Sequence, residues 1–414
     1  MGWKKGSVIM KAEPFAHVIM QKYREDRCNF CLASSDTLKK CASCKKTWYC
    51  GVPCQKKDWK LHKMECPVMK RVPDTPTDSM RLFLRLVIRH MNGASSVNQE
   101  KDEKPCFRCF NDLMSHADKI TSDRTRNSLF EVAHDFLRAY THGLLSLPPS
   151  SVLLDIFGKM VINTFTIADE SLQDVAVGIY NSPSILDHRC YPNAVASFEG
   201  RTVTVRAVTD IDSDSYEEVF LSYVDPLATI AERQEQLQQQ YYFRCTCSRC
   251  SSDHIEKMMC SVEGGTEGDL AKVKACLDKV ESMQKAQESS EKILETCDKC
   301  LSEITLPSTN VHLVRLIGKG FDAAIESQEF EKAFYLGIKN LKPYQTLHPA
   351  FSPCVGYMYA NLGKLLLFLG KLHEAEMHLI KGLEIFSVSL GGSHFLVHQV
   401  QELLHQCQAE LKES

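Results

Sequence analysis

Seven cysteines and one histidine lie between residues 28 and 66, and this cluster constrains the fold more strongly than any other feature of the sequence. Their spacing is Cys-x2-Cys-x9-Cys-x2-Cys-x5-Cys-x3-Cys-x7-His-x3-Cys, which supplies two complete tetrahedral ligand sets for zinc. A helix places residues four apart on one face, which favours pairing Cys50 with Cys54 and His62 with Cys66. We therefore expect interleaved sites, with Cys28, Cys31, Cys50 and Cys54 on one ion and Cys41, Cys44, His62 and Cys66 on the other.

So short a segment has little apolar core, and zinc would supply its folding free energy, about 10–16 kcal/mol for each site. The whole chain has 19 cysteines, many of them in close pairs, which in a long sequence is more typical of metal ligands than of disulfides. Thiolate ligands persist in a reducing compartment. We therefore expect a cytoplasmic and nuclear protein.

Length and composition limit the other possibilities. A chain of 414 residues is too long for one ordinary core, which predicts two or three domains. The formal net charge of -3 argues against bulk electrostatic attraction to nucleic acid, so we expect weak or no direct nucleic-acid binding. No apolar run approaches the roughly 18 residues of a membrane-spanning helix, and the first residues match neither a signal peptide nor a lipid-anchor signal. We expect a monomer that does not contact membranes.

The first third of the chain has two further sequence patterns. Ser7–Met10 and Ala16–Met20 predict two short strands before the cysteine cluster. From about Ser79 to Leu147 the apolar residues recur at helical spacing, interrupted by a polar connector over residues 91–106.

The middle of the chain shifts toward strand character. Residues 151–225 are predicted to be rich in strands, with the clearest examples at Thr202–Val208 and Val219–Tyr223. Three thiols follow as Cys245-x-Cys247-x2-Cys250, which is one ligand short of a zinc site. The isolated Cys190 is our candidate for the fourth ligand.

The sequence after Asp269 predicts helices throughout. Phe330-Glu-Lys-Ala333 recurs 42 positions later as Leu372-His-Glu-Ala375. Each copy is typical of a helix–turn–helix pair, similar to tetratricopeptide repeats at a longer period. An ordinary helical bundle is nearly as good an interpretation.

Three stretches of the chain resemble segments of known families. The cysteine cluster resembles a MYND finger, including Trp48-Tyr-Cys50 and Cys54-Gln-Lys-Lys-Asp-Trp59. Such fingers bind proline-rich peptides or lie beside nucleic acid, and the lysines of this segment could favour either partner. A basic face that is simply solvated explains these lysines equally well. Asp187-His-Arg-Cys-Tyr-Pro-Asn193 resembles the Asn-His-Ser-Cys-x-Pro-Asn segment of SET-domain methyltransferases, and Glu217–Tyr223 resembles their following strand.

Together these segments resemble the SMYD family over nearly the whole chain. The resemblance implies an α+β fold, a β-rich SET core with an inserted MYND zinc finger and a helical insert, closed by a post-SET zinc segment and followed by a helical domain. The implied divisions are SET strands at 1–27, finger at 28–66, helical insert at 67–150, SET core at 151–225, post-SET segment at 226–252 and TPR-like helices at 253–414.

The resemblance also implies a function. It implies methylation of a lysine in histone or non-histone proteins, with S-adenosylmethionine as the methyl donor, and a substrate cleft between core and helices. The resemblance implies catalytic roles for Tyr241 and Tyr223. The implied zinc ligands are the eight finger residues with Cys190, Cys245, Cys247 and Cys250, making three ions. The implied cofactor contacts are Asn163, Ser184, Leu186, Asp187, His188, Tyr223 and Phe243. Partner proteins implied for the family are proline-rich peptides at the finger and chaperones at the C-terminal helices.

The chain departs from the family pattern at several positions. No Gly-x-Gly turn precedes Gly6-Ser-Val-Ile-Met10, Asp187 stands in place of asparagine, Arg189 in place of a small serine, and Tyr216 in place of a turn glycine. A catalytically weak or inactive scaffold that binds partner proteins is therefore the alternative function. Two further thiol pairs, Cys106/Cys109 and Cys297/Cys300, are expected to be buried or free thiols rather than ligands of a fourth ion.

Overall fold

The computed structural model describes residues 2–94 and 108–413, which form a mixed α and β structure. Within these ranges the strands are β1 (Val8–Ala12), β2 (Ala16–Ile19), β3 (Lys39–Lys40), β4 (Trp48–Tyr49), β5 (Thr164–Ala168), β6 (Asp174–Ile179), β7 (Asp187–His188), β8 (Ala194–Glu199), β9 (Thr202–Ala207) and β10 (Phe220–Leu221). The α-helices are α1 (Val52–Arg71), α2 (Asp78–Met91), α3 (Ala117–Ser122), α4 (Arg124–Thr141), α5 (Ser150–Asn163), α6 (Ile230–Tyr241), α7 (Ser248–Ser251), α8 (Asp253–Cys260), α9 (Glu267–Lys285), α10 (Ser290–Ser302), α11 (Val311–Glu326), α12 (Phe330–Leu347), α13 (Pro353–Phe368), α14 (Leu372–Ser389) and α15 (Phe395–Glu413).

Small sheets assembled from distant parts of the sequence form the core. Strand β9 pairs with β1 on one side and β8 on the other, while β6 lies between β2 and β5. All of these pairings are antiparallel, whereas β7 and β10 run parallel. The N-terminal strands therefore pair with strands beyond residue 170, and everything between β2 and β5 is inserted. The predicted pair of N-terminal strands and the predicted α+β architecture are both confirmed.

One segment predicted as strand is a helix. Residues 151–163 belong to α5, in which buried apolar side chains such as Leu153, Ile156 and Phe157 follow helical spacing. A short apolar run fits the residue spacing of a strand as well as that of a helix. Here the packing of α5 against α2 and α4 favours the helix. The second predicted strand, Val219–Tyr223, is also shorter than expected, since only Phe220–Leu221 pairs with β7.

The C-terminal third is helical, as predicted, and the repeat is real. Helix α11 packs on α12, α12 on α13, and α13 on α14. Both predicted repeat segments begin a helix, at Phe330 and at Leu372. The turns before them contain residues with positive φ at equivalent positions, Gln328 at 60° and Gly370 at 72°. The two copies therefore share the conformation of their turn as well as their helices.

Two polar contacts join these helices to the rest of the molecule. Arg206 of β9 donates from Nε to the carbonyl of Leu390, which follows α14, over 2.9 Å. Arg315 of α11 makes two hydrogen bonds of 2.9 Å with the carboxylate of Glu232 in α6. In the described ranges, no helix combines the length and the apolar character that crossing a bilayer requires.

Candidate functional site

The ligand atoms of the cysteine cluster converge in two groups. In each group all four ligand atoms lie within 4.8 Å of one another, and the members are Cys28, Cys31, Cys50 and Cys54, and then Cys41, Cys44, His62 and Cys66. The β3–β4 hairpin and helix α1 carry most of the ligands to these positions. The structure thus brings together the same interleaved sets that the spacing predicted.

The dimensions of both groups fit zinc. Tetrahedral thiolates about 2.3 Å from a zinc ion are about 3.8 Å apart. The sulfurs of Cys41 and Cys66 are 3.8 Å apart, and Sγ of Cys44 lies 3.6 Å from Nε2 of His62. In the other group the sulfurs of Cys31 and Cys50 are also 3.8 Å apart.

A buried carboxylate holds the ring of His62. Oε2 of Glu65 lies 3.0 Å from Nδ1 of His62, which leaves Nε2 facing the ligand group. Arg81 and Arg85 each donate to Glu65 over 2.8 Å, and none of these side chains is exposed to solvent. Burial opposes ionisation of Glu65, but the two arginines outweigh it and hold its pKa well below the usual range.

The same buried network continues into the sheet core. Arg85 donates to Asp58 over 3.2 Å and to the carbonyl of His17 in β2 over 2.9 Å. Asp58 also accepts hydrogen bonds from the hydroxyl of Tyr49 at 2.7 Å and from the amide of Asn29 at 2.8 Å. We call the set Glu65, Arg81, Arg85, Asp58 and Asn29 the charge network. It fastens the finger to α2 and β2.

A third ligand group forms around the isolated cysteine. The sulfurs of Cys190, Cys245, Cys247 and Cys250 lie within 4.8 Å of one another, and Cys190 is fully buried. Its sulfur is 3.5 Å from that of Cys250 and 4.0 Å from that of Cys245. Burial raises the pKa of Cys190 and that of Cys245, so ionising these thiols is unfavourable without a cation. A divalent ion would supply that compensation.

A cavity of about 580 Å³ adjoins the third group, between the sheet core and the C-terminal helices. This volume lies in the range of small-molecule sites. The predicted site residues that line it are Asn163, Ser184, Asp187, Tyr223, Tyr241 and Phe243.

Two predicted cofactor contacts, Leu186 and His188, are not among the residues that line this cavity, and their contact with a cofactor stays a prediction. Leu186 is 1% exposed and packs in the core with Ile9 and Val205. His188 is 8% exposed, and its ring lies against Cys190 and Tyr223. Successive residues of a strand point to opposite faces, so Asp187 faces the cavity whereas His188 in the same strand faces the core.

Aromatic side chains form one wall of the cavity. The ring centroids of Tyr223 and Tyr241 are 4.9 Å apart, and Phe243 follows at 6.4 Å from Tyr241. Burial raises the pKa of both tyrosines, and Asp187 raises that of Tyr223 further, so both phenols stay protonated. The Tyr223 hydroxyl donates to the carbonyl of Leu186, which leaves its oxygen free to act only as an acceptor toward the cavity.

Asn163 and Ser184 are held in place by hydrogen bonds to main-chain carbonyls. The amide nitrogen of Asn163 donates to the carbonyls of Met114 and Lys159, each over 2.9 Å. Its amide oxygen is therefore the group available to a ligand. Ser184 donates to the carbonyl of Tyr180 over 2.7 Å.

Comparison with known proteins identifies the family. The MYND finger family model matches residues 28–66. Histone-lysine N-methyltransferase SMYD3 of Homo sapiens is 32% identical over 416 residues, covering 99% of this chain and 94% of the relative. The chain belongs to the SMYD family. N-lysine methyltransferase SMYD2 of Homo sapiens is 28% identical over 414 residues, covering 96% of this chain and 92% of the relative. SMYD2-A of Danio rerio is 26% identical over 418 residues, covering 98% and 94%.

Two departures from the SMYD pattern have structural partners in this chain. The guanidinium of Arg189 lies 3.6 Å from the ring centroid of Phe220, a cation–π contact. Tyr216 stacks on Trp3 with ring centroids 5.6 Å apart, and Trp3 in turn pairs with Ile211 through main-chain hydrogen bonds. Both substitutions are therefore accommodated by aromatic contacts on the sheet core.

Several residues that line the cavity were not predicted from the sequence, because they lie far along the chain from the SMYD motifs. Met114 and His116 come from the segment before α3, while Pro349, Phe351 and Ser352 come from the turn between α12 and α13. The only local sign in the sequence is that prolines at 349 and 353 interrupt an otherwise helical pattern. Only the folded chain brings them to the cavity.

The two extra thiol pairs have different outcomes. Cys106 lies outside the described residues, so the Cys106/Cys109 pair stays a prediction. In α10, Cys297 is fully buried and Cys300 half-buried, both as free thiols. Burial raises the pKa of each to about 12, which suits unreactive thiols and agrees with the expectation.

Proposed function

We propose that this SMYD protein transfers a methyl group from S-adenosylmethionine to the side-chain amine of a lysine in a protein substrate, histone or non-histone. The observation that carries the proposal is the convergence of Asn163, Asp187, Tyr223, Tyr241 and Phe243 on one cavity between core and helices. The SMYD2 and SMYD3 relatives, both named as lysine methyltransferases, support the reaction class.

S-adenosylmethionine would supply a methyl group bound to a positively charged sulfur. The side chains of the cavity then have two tasks, to align the amine and to keep it neutral. Alignment supplies much of the rate in such a displacement. The aromatic wall of Tyr223, Tyr241 and Phe243 would shield a bound lysine side chain from water, and such desolvation disfavours its charged ammonium form. The oxygen of Tyr223, whose proton is donated to Leu186, is placed to accept a hydrogen bond from the amine.

Polar groups around the cavity suit the donor as well. Asp187 and the amide oxygen of Asn163 are both acceptors, and a nucleoside-containing ligand with exocyclic and α-amino groups offers donors to each. Three zinc ions would complete the metal content, two in the finger and one at the Cys190 group. The third ion would hold the post-SET segment beside the aromatic wall.

Further partners are proposed from exposed surfaces. Val52 and Trp59 of the finger are 56% and 47% exposed, which supports docking of a proline-rich peptide. Exposed aromatic residues on the C-terminal helices, Tyr335 and Phe368, support a chaperone contact there. We also propose a monomer in the cytoplasm and nucleus, with weak or no direct binding of nucleic acid.

Calorimetry tests the first requirement of this function. Titrating S-adenosylmethionine into the purified protein should give a measurable heat of binding, and Asp187→Ala should weaken it. Absence of heat at millimolar ligand would overturn the enzymatic proposal and leave the alternative, a scaffold that binds partner proteins.

Methyl transfer to candidate proteins tests the second. Tyr241→Phe and Tyr223→Phe each remove one hydroxyl from the aromatic wall, and we expect the rate to fall by about 10²-fold because the amine is less well aligned. Tyr335→Phe, on the exposed face of α12, is the matched control and should keep the wild-type rate. Equal rates in all three variants would contradict the assigned roles.

A further inference from the structure

His188 lies between the third ligand group and the aromatic wall. Its Nε2 is 3.2 Å from the sulfur of Cys190, and its Nδ1 is 3.0 Å from the main-chain nitrogen of Tyr223. Its ring centroid is also 5.3 Å from that of Tyr223 and 6.0 Å from that of Phe243. One ring therefore contacts a thiol of the third group and two residues of the wall.

The hydrogen-bond chemistry gives the ring a single orientation and tautomer. A main-chain N–H can only donate, so Nδ1 must be the acceptor for Tyr223 and carries no proton. The ring proton of the neutral imidazole is then on Nε2, where it points at the sulfur of Cys190. An N–H donor to a metal-bound thiolate neutralises part of its charge and fixes its orientation, as outer-shell partners of metal ligands do.

We propose that His188 is a positioning residue that couples the third metal site to the placement of Tyr223. The donor end stabilises the Cys190 thiolate on its metal, and the acceptor end fixes the main chain at Tyr223. Through the ring, the geometry of the metal site would affect the position of Tyr223, whose oxygen accepts a hydrogen bond from the substrate amine. The catalytic half of this inference rests on the proposed methyl transfer, whereas the metal half does not.

Ordinary core packing is the competing explanation for a buried histidine. Packing alone needs the ring's volume and shape but neither of its nitrogen contacts. Two amide substitutions separate the explanations, because each preserves one nitrogen's role. The amide of His188→Asn reaches the position of Nδ1 and keeps an acceptor for Tyr223, while that of His188→Gln reaches the position of Nε2 and keeps a donor for Cys190.

The first measurement is metal release. The zinc-loaded full chain is mixed with a chelator, and release of the third-site ion is followed, with Cys190→Ser identifying which phase belongs to that site. We expect His188→Asn to release this ion about 10–100-fold faster than wild type, and His188→Gln to stay within a few-fold of it. The exposed His254 supplies the control, since His254→Gln should release metal as wild type does.

The second measurement is spectroscopic and independent of activity. In the cobalt-substituted protein, loss of an N–H donor to a thiolate moves the sulfur-to-cobalt charge-transfer band to lower energy, because the sulfur lone pairs are no longer stabilised. His188→Asn should show this shift, and His188→Gln should not. Unchanged release and an unchanged band in both variants would overturn the coupling to the metal.

The third measurement is the turnover number with saturating substrate. His188→Gln should lose at least about 10-fold in turnover while retaining its metal, because Tyr223 is no longer held. His188→Asn with metal in excess should stay within a few-fold of wild type. If both variants lose turnover and metal equally, packing explains the residue and the proposal is wrong. If the wild type itself transfers no methyl group, the proposed function fails while the metal measurements still decide the other half.

Discussion

The guanidinium of Arg206 occupies the space that a β-carbon on Gly391 would need. An ideal β-carbon at Gly391 would lie 2.2 Å from a guanidinium nitrogen of Arg206, and Gly391 has φ of 93°. Arg206 also donates to the carbonyl of Leu390 and to that of Gly6. The sheet core, the N-terminal segment and the end of α14 therefore meet at one tightly packed point.

Gly391→Ala tests the importance of this junction. Both the positive φ and the clash oppose the substitution, so we expect a loss of about 1–3 kcal/mol in the free energy of unfolding, measured in urea. Gly370→Ala is the matched control, since Gly370 also has a positive φ of 72° but a β-carbon there meets nothing within 4 Å, so only the backbone strain remains and the loss should be smaller. Equal effects at the two positions would show that the Arg206 contact does not stabilise the junction.

Arg85→Met tests the charge network. The substitution keeps much of the side chain's volume but leaves Glu65 and Asp58 buried with fewer partners, so we expect a loss of about 3–5 kcal/mol in stability. Lys63→Met, on the exposed side of α1, serves as the control and should change stability little. A small loss for Arg85→Met would mean that water or rearranged side chains replace the guanidinium.

Cys190→Ser tests the third metal site. Metal analysis of the purified wild type should return three zinc ions for each chain, and the variant should return two. The near-ultraviolet circular dichroism of the tyrosines should also weaken, because Tyr223 and Tyr241 pack against the cluster that contains Cys190 and Cys245. Two ions in both proteins would contradict a third site.

His348 should make the protein sensitive to acid. It is 3% exposed, and burial lowers its pKa to about 4. Between pH 6.5 and pH 4 the unfolded chain takes up a proton at this residue and the folded chain does not, so stability falls as the pH falls. The loss in the free energy of unfolding is about 1.4 kcal/mol for each pH unit and reaches about 3 kcal/mol at pH 4.

His348→Gln removes that titration. We expect the difference in unfolding free energy between variant and wild type to shift in favour of the variant by up to about 3 kcal/mol from pH 6.5 to pH 4. Acid release of metal affects both proteins and cancels in the difference. A difference that does not change with pH would mean that His348 is not held neutral.

The sequence predicted best those features that depend on spacing along the chain. The ligand sets of the finger and the helical repeat follow from spacing, whereas Cys190 was identified only as an isolated thiol that could complete a set of three. Residues 151–163 were predicted poorly because a short apolar run fits both a strand and a helix, and contacts with other helices decide between them.

Orientation and long-range contacts could not be read from spacing. The motif identified both Asp187 and His188, but only the strand's pairing decides which of the two faces the cavity. Phe351 reaches the cavity from the turn after α12, and no local pattern connects it with Tyr223. Arg81 and Arg85 look like the polar side of an amphipathic helix, yet both are fully buried against Glu65.

The charge network has a consequence for how such proteins diversify. Its members are divided between the finger and α2, so neither part supplies balanced charges when separated from the other. A gene rearrangement that exchanged the finger alone would bury unmatched arginines under the incoming module. This architecture tolerates an exchange only when the finger and α2 are transferred together as one segment.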